Sequence, residues 1–166
     1  MNDMKRLLIL GFGQYGKVAY EIAIAMDQFE RIDFLDDNSE AAVGKLSDYK
    51  RLKNEYDTAV VAIGNAELRL ELIGQLADEG YVVPVLIHPR AYVSPSAVIG
   101  KGSFIEPMAV VHTDVVIGTG CIISTGTIIN HNAVVGDGCH LDCGTIVKAR
   151  ENIANNTKTI CGQIIG

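Results

Sequence analysis

The sequence predicts an α/β module of Rossmann type followed by a parallel β-solenoid, and three observations predict it. Aliphatic residues recur at every sixth position from Ile87 through Val93, Ile99, Ile105, Val111, Ile117 and Ile123 to Ile165, and Thr159 breaks the run. A period of six fits neither an amphipathic helix nor a strand that alternates every two residues. Gly100, Gly118 and Gly136 recur at a spacing of eighteen, which is three hexads. One coil then takes three short strands, and the second half of the chain is a triangular prism. Before Val85 the pattern differs: helix-forming stretches such as Ala23–Met26 and Leu68–Leu76 alternate with short apolar runs, the order of a small parallel sheet with crossover helices.

In the first module, residues 1–86, Leu7–Leu10 predicts a strand that ends in the turn Gly11-Phe-Gly-Gln-Tyr-Gly16, and Val18–Met26 predicts a helix. A strand, a glycine turn and a helix start present backbone N–H groups and a positive helix end to a phosphate. Ile32–Asp37 predicts a second strand closing on Asp36 and Asp37, where a ribose hydroxyl is commonly held. Thr58–Gly64 predicts a third strand, Ala66–Glu79 a helix and Val82–Ile87 a fourth strand. A full dinucleotide fold uses two mononucleotide halves, and this module has length for little more than one. A nucleotide or nucleotide-sugar is therefore favoured over a nicotinamide or flavin dinucleotide. The glycines also have a purely conformational reading, a tight turn with close helix packing. Asp36 and Asp37 read equally as solvated residues at a strand end.

In the second module, residues 87–166, a mostly small residue lies two positions before each aliphatic, as at Ala97, Ser103, Ala109, Cys121, Ala133 and Cys139. Such residues let the chain turn tightly at the prism corners. His88, just before Pro89, serves the turn at the junction. His112 and Asn130 are eighteen residues apart and stack at a prism edge, His131 lies beside Asn130, and His140 follows nine residues later. The intervals of 19 and 9 leave no close histidine pair on one strand, so no metal is expected. An imidazole acting as a general base is the more economical chemistry, and a histidine on a prism edge faces any neighbouring prism, which points to sites between subunits. Cys121, Cys139, Cys143 and Cys161 match neither a zinc ribbon nor a disulfide framework and are expected to be buried, reduced thiols.

A formal charge of −6 offers no broad basic surface for nucleic acid. No apolar run is long enough to span a bilayer, and Met1–Arg6 is not followed by a small-residue cleavage site. A cytoplasmic protein that binds small molecules is expected.

Gly11-Phe-Gly-Gln-Tyr-Gly16, Phe34-Leu-Asp-Asp37, Ala62-Ile-Gly-Asn65, Ile87-His-Pro, Ser94-Pro-Ser-Ala-Val-Ile-Gly100 and Asn130-His-Asn-Ala-Val-Val-Gly-Asp-Gly-Cys-His140 occur in this order along the chain. With this set the chain resembles the sugar O- and N-acyltransferase family of hexapeptide-repeat proteins, which includes sialic-acid O-acetyltransferases and UDP-4-amino-sugar N-acetyltransferases. The resemblance implies a left-handed β-helix after the Rossmann-like module and assembly as a homotrimer. It further implies acetyl-CoA in the groove between adjacent prisms and a nucleotide-sugar on the first module. By the same likeness His131 is the catalytic base, with Asn132 beside it where relatives often carry an acidic residue. His140 contacts the thioester end of acetyl-CoA. Gly13, Gln14, Tyr15, Asp36, Asp37 and Asn65 line the nucleotide-sugar pocket, Tyr15 standing where relatives often have histidine. The family's β-helix usually continues for further coils, whereas this one is read only to Gly166. The expectation is direct acetyl transfer to an amino or hydroxyl group of a nucleotide-linked or surface-polysaccharide sugar. The alternative is a catalytically impaired or truncated trimeric subunit that binds nucleotide-sugar or serves assembly.

Overall fold

The computed structural model describes residues 5–166; most of the Met1–Arg6 segment, read above as no secretory leader, lies outside the described residues. The chain divides into two compact units, one ending at Pro84 and the other spanning Val85–Gly166.

In the first unit, β1 (Lys5–Leu10), α1 (Gln14–Met26) and β2 (Phe29–Leu35) are followed by a single 3-10 turn at Leu46–Asp48 and by α2 (Tyr49–Leu52). Then come β3 (Thr58–Val61) and α3 (Ala66–Asp78). The three strands are parallel in the order β2-β1-β3. Leu10 aligns with Leu35 on one side and with Val61 on the other, so the carboxyl ends lie level. Successive side chains of β1 point to opposite faces. Leu8 and Leu10 cluster with Tyr49, Leu52, Leu72 and Leu76 from α2 and α3. Leu7 and Ile9, fully buried, face the other way. α1 buries a helical stripe of Gly16, Ala19, Ile22 and Ala23.

The expected fourth strand, Val82–Ile87, is split. Only Val82 bridges to Thr58, and Leu86–Ile87 pairs with Phe104–Ile105 in the second unit. Pro84 explains the break, because it has no N–H to give a ladder and restricts the residue before it. The same pairing of Leu86 is why the second unit begins at Val85.

The second unit winds through β4 (Leu86–Ile87), β5 (Tyr92–Val93) and β6 (Val98–Ile99) and repeats that circuit. Its continuation is β7 (Phe104–Ile105), β8 (Val110–Val111), β9 (Val116–Ile117), β10 (Ile122–Ile123), β11 (Ile128–Ile129) and β12 (Val134–Val135). β13 (His140–Leu141), β14 (Ile146–Val147), β15 (Asn152–Ile153) and β16 (Ile164–Ile165) complete it. Three parallel sheets result, β4-β7-β10-β13, β5-β8-β11-β14-β16 and β6-β9-β12-β15, one for each side of the prism. Within each strand the second residue points inward. Ile105, Ile123 and Leu141 stack in register and are fully buried. The corner residues Ala109, Cys121, Ala133 and Cys139 complete this core.

Thr159 occupies an inward position where its neighbours are aliphatic, and is buried. Its hydroxyl lies 2.8 Å from that of Thr145 and accepts from the Asp142 N–H at 2.7 Å, which offsets the cost of burying a polar group. Of the cysteines, Cys121 and Cys139 are buried, and their thiols donate to the Gly136 and Ala154 carbonyls at 3.0 and 3.1 Å. Cys143 and Cys161 are exposed, contrary to the expectation for all four. They follow the inward residues Leu141 and Thr159 by two positions instead of preceding one, which puts them on the outside of a turn.

The glycine column at one corner answers to close backbone approach. A Cβ on Gly118 would lie 2.7 Å from the Asp137 nitrogen and 2.8 Å from the Gly136 carbonyl carbon. A Cβ on Gly13 in the first unit would meet nothing within 4 Å. Gly118→Ala is therefore expected to lower stability by about 1–3 kcal/mol through overpacking, and Gly13→Ala to leave the unfolding midpoint unchanged; denaturant titration of the two variants checks this.

Candidate active site

In the first unit the level strand ends are gathered around the glycine turn. Gly11 has φ +105, and a Cβ there would lie 2.8 Å from the Ala62 carbonyl oxygen, so only glycine lets the end of β1 pass so close to the end of β3. A Cβ on Gly16 would collide with the Gly11 carbonyl, so α1 can start directly against the turn. Gly13 is the N-cap of α1, with no side-chain cap and no acidic residue in the first turn. Gln14 and Tyr15 are the first residues of the helix. The turn thus offers approachable N–H groups and a positive helix end to an anion.

Asp36 fastens this turn to the end of β2. Its Oδ2 accepts from the Phe12 N–H at 2.7 Å and its Oδ1 from the Asn38 N–H at 2.8 Å. Asp37 is exposed, and its Oδ1 accepts from the Leu46 N–H at 3.0 Å. Asn65 caps α3, its side chain accepting from the Leu68 N–H at 2.9 Å. The structure therefore brings Gly13, Gln14, Tyr15, Asp36, Asp37 and Asn65 to the same edge of the sheet, and each of the last three also has a local structural partner. Two features went unread in the sequence. Arg69 is fully buried and donates to the Ile63 and Gly64 carbonyls at 2.7 and 3.2 Å, holding the loop after β3. A cleft of about 370 Å³ opens between the segment before β3 and α3, lined by Asp37, Leu46, Lys50, Leu68, Leu72 and Gln75. Arginine four residues after the helix-capping Asn65 was the available sign of the first; nothing in the composition of Leu46–Leu52 marked the second.

In the second unit His131 lies on the corner between β11 and β12. Asn132 follows in the left-handed region, φ 60, which turns its side chain back beside the ring. His131 Nδ1 lies 2.9 Å from Asn132 Oδ1. An amide oxygen only accepts, so this contact suits the tautomer with its proton on Nδ1, in which the Nε2 lone pair can take another. The backbone of His131 is fixed too, its N–H donating to Asn130 Oδ1 at 2.8 Å. His140 is the outward residue of β13, stacked between Ile122 and Lys158, with its Nε2 3.2 Å from Ser124 Oγ. His88 serves its turn as expected, Nδ1 accepting from the Arg90 N–H at 3.0 Å. No group of three or more metal-ligating side chains occurs among the described residues. Among them no helix is long and apolar enough to cross a membrane.

The corner bearing His131 joins the second and third sheets, whereas His140 stands on the first. In a three-sided prism a corner lies opposite the remaining side. Within one copy of the chain the two histidines therefore face away from each other.

Residues 6–76 match the PglD N-terminal domain, and residues 96–131 match the bacterial transferase hexapeptide of six repeats. The chain is 33% identical over 112 residues to UDP-N-acetylbacillosamine N-acetyltransferase of Bacillus subtilis (strain 168). That match covers 61% of this chain and spans about half, 51%, of the relative's length. Among solved structures it is similar to the acetyltransferase domain of PglB from Neisseria gonorrhoeae FA1090, with a TM-score of 0.90 at 28% identity, covering 98% of this chain and 91% of that one. The same domain is known in complex with acetyl coenzyme A. A histidine variant of perosamine N-acetyltransferase from Caulobacter crescentus, in complex with CoA and GDP-perosamine, matches with a TM-score of 0.87 at 25% identity. That match covers 97% of this chain and 88% of the other. The fold is accordingly a small Rossmann-like module and a left-handed β-helix.

The Asp36 contacts make a prediction about the glycine turn. Asp36→Ala strands two backbone donors and is expected to cost about 1–3 kcal/mol, with faster hydrogen exchange at the Phe12 and Asn38 amides. Asp36→Asn, which keeps one acceptor oxygen, is expected to restore protection at one of the two. Amide exchange followed by mass spectrometry or NMR reads both.

Proposed function

Because the chain belongs to the sugar O- and N-acyltransferase family, we propose that it transfers the acetyl group of acetyl-CoA to an amine on a nucleotide-linked sugar. The observation that carries this reading is the His131 ring on a prism corner, its Nδ1 2.9 Å from Asn132 Oδ1. The names of the relatives support the chemistry: two are N-acetyltransferases of nucleotide-linked or related amino-sugars, and structures among them hold acetyl coenzyme A or CoA.

In this reaction the sugar amine attacks the thioester carbonyl carbon while His131 Nε2 takes its proton. Collapse of the tetrahedral intermediate expels the CoA thiolate, which is reprotonated by the imidazolium or by water, and no acyl-enzyme forms. Proton removal at a positioned imidazole contributes about 10²–10⁴-fold, and the larger part of the rate comes from holding amine and thioester together. The glycine turn at Gly13, Gln14 and Tyr15 receives the diphosphate, with Asp37 and Asn65 toward the remainder of the nucleotide-sugar and Asp36 holding the turn. His140 contacts the thioester end of acetyl-CoA.

Since His131 and His140 face opposite ways in one prism, both reach one acetyl-CoA only if neighbouring copies contribute one each. The outward columns suit that arrangement. Ile128 and Ile146 on the second side and Val98, Val116 and Val134 on the third are exposed apolar residues on successive coils. We therefore read the working form as a homotrimer with acetyl-CoA between adjacent prisms, acting in the cytoplasm where that thioester is available.

Calorimetric titration with acetyl-CoA, followed by an acceptor screen with UDP- and GDP-linked 4-amino-sugars, tests the reading. Saturable binding and CoA release are expected; nucleotide-sugar binding without acetyl-CoA binding would instead establish a binding or assembly subunit. His131→Ala is expected to lower turnover by about 10²–10⁴-fold with the oligomer intact, and wild-type turnover would remove His131 as the base. Asn132→Asp places a carboxylate beside the ring and favours the imidazolium, so the acidic limb of the kcat/KM profile is expected to move to higher pH.

A further inference from the structure

Cys143 and Cys161 are exposed free thiols with no part in the chemistry above. Eighteen residues apart, they hold the same position in successive coils. The register of those coils is pinned on both sides of the pair. Before it, His140 bridges to Lys158 and the Asp142 N–H donates to Thr159 Oγ1 at 2.7 Å. After it, the Gly162 N–H donates to the Cys143 carbonyl at 2.8 Å and Ile146 pairs with Ile164. Neighbouring strands in such a sheet lie about 4.8 Å apart, within the Cα separation of roughly 4.4–6.8 Å that a disulfide spans. One and two coils earlier the same column holds Thr125 and Pro107, so within this column stacked thiols arise only here, and the other stacked pair, Cys121 and Cys139, is buried.

We propose that Cys143 and Cys161 are a modification site, a thiol pair that closes to an intrachain disulfide by exchange with a low-molecular-weight disulfide such as oxidised glutathione. The Cys161 thiolate attacks one sulfur of the oxidant and expels a glutathione thiolate. The Cys143 thiolate then attacks the Cys161 sulfur of the mixed disulfide and expels the second. One protein disulfide forms, one oxidant disulfide is reduced to two thiols, and the protons of the two cysteines pass to the glutathione leaving groups. Cys143 is the second nucleophile because burial, and then the Glu106 and Asp142 carboxylates, push its thiol up. Asp142 sits with the pair. Its carboxylate is held below the usual range first by the Cys143 backbone N–H, at 2.8 Å, and also by the Cys161 thiol, a donor that closure removes.

The test treats the purified full chain with oxidised glutathione, counts reactive thiols under native conditions and maps peptides without reductant. The expected result is joint loss of both exposed thiols and a peptide pair linked through Cys143 and Cys161 within one chain. In Cys161→Ser, Cys143 is expected to remain reduced or to carry glutathione. Separate stable glutathione adducts on the two wild-type residues, thiols that stay reduced, a link to Cys121 or Cys139, or a link between chains would each overturn the proposal.

Discussion

The second module depends on one constraint, the backbone ladder that joins each coil to the next. The N–H of Phe104 donates to the Cys121 carbonyl, that of Ile122 to Cys139, and that of Val110 to Thr127, each across seventeen residues and each at 2.8 Å. Once these bonds form, residues eighteen apart must stack, and every side chain belongs to a column. The aliphatic columns close the core, and a shift of one residue would turn Ile123 out and Ser124 in. The apolar hexad and the ladder thus specify the same register, an agreement between levels that marks a sequence suited to one structure.

The columns also decide where polar groups find partners. At the corner after the first sheet, Glu106 reaches up one coil, its Oε2 accepting from the Thr125 N–H at 2.9 Å and from the Thr125 hydroxyl at 3.0 Å. At the corner before that sheet, Asp137 accepts from the Thr119 N–H and its own N–H donates to Asn155 Oδ1, one coil to each side. Ser103, Cys121 and Cys139 repeat a single contact, each donating to a carbonyl fifteen residues ahead. Serine and cysteine serve alike there because the site needs a small donor on an inward-facing corner. The chemistry of a thiol is irrelevant where it is buried in that role and available where, as at Cys143, the same element lies on the outside of a turn.

This geometry explains which parts of the molecule were legible in the sequence. A period of six is a property of the chain alone, so the three-sided prism, its inward column and the stacking of His112 with Asn130 could be read without coordinates. The left-handed backbone positions were less visible. They fall three residues past the inward aliphatic and are filled by Gly102, Gly120 and Gly126 but also by Met108, Asp114 and Asn132, so no residue type announces them. In the first module β1, α1, β3 and α3 followed from apolar runs and punctuation. Val82–Ile87 failed because a run of β-branched and aliphatic residues looks like one strand even when Pro84 hands its two halves to different sheets. The cleft beside Asp37 was invisible because it is made by packing α2 against α3, segments whose meeting no local pattern encodes. Asp36 was expected to stand near the glycines, and it does, but its tie to Phe12 is a long-range contact that sequence spacing does not encode.

In the proposed reaction the Asn132 side chain is a neutral neighbour that can still shape a base. A histidine with both nitrogens free divides its proton between two tautomers, and only the one with a bare Nε2 can accept there. The contact of 2.9 Å to an acceptor-only oxygen selects that tautomer and orients the ring without adding charge. A carboxylate in the same place would select it as well and would stabilise the imidazolium, making a stronger base that is protonated over more of the pH range. The asparagine supplies no such Coulombic assistance. In the proposed acetyl transfer the acceptor is an amine whose acidity rises sharply as it attacks the thioester, so the proton transfer asks of the ring that it be oriented toward that amine. What the site requires of residue 132 is then an oxygen at the right distance, and the left-handed turn that asparagine tolerates better than most residues supplies it.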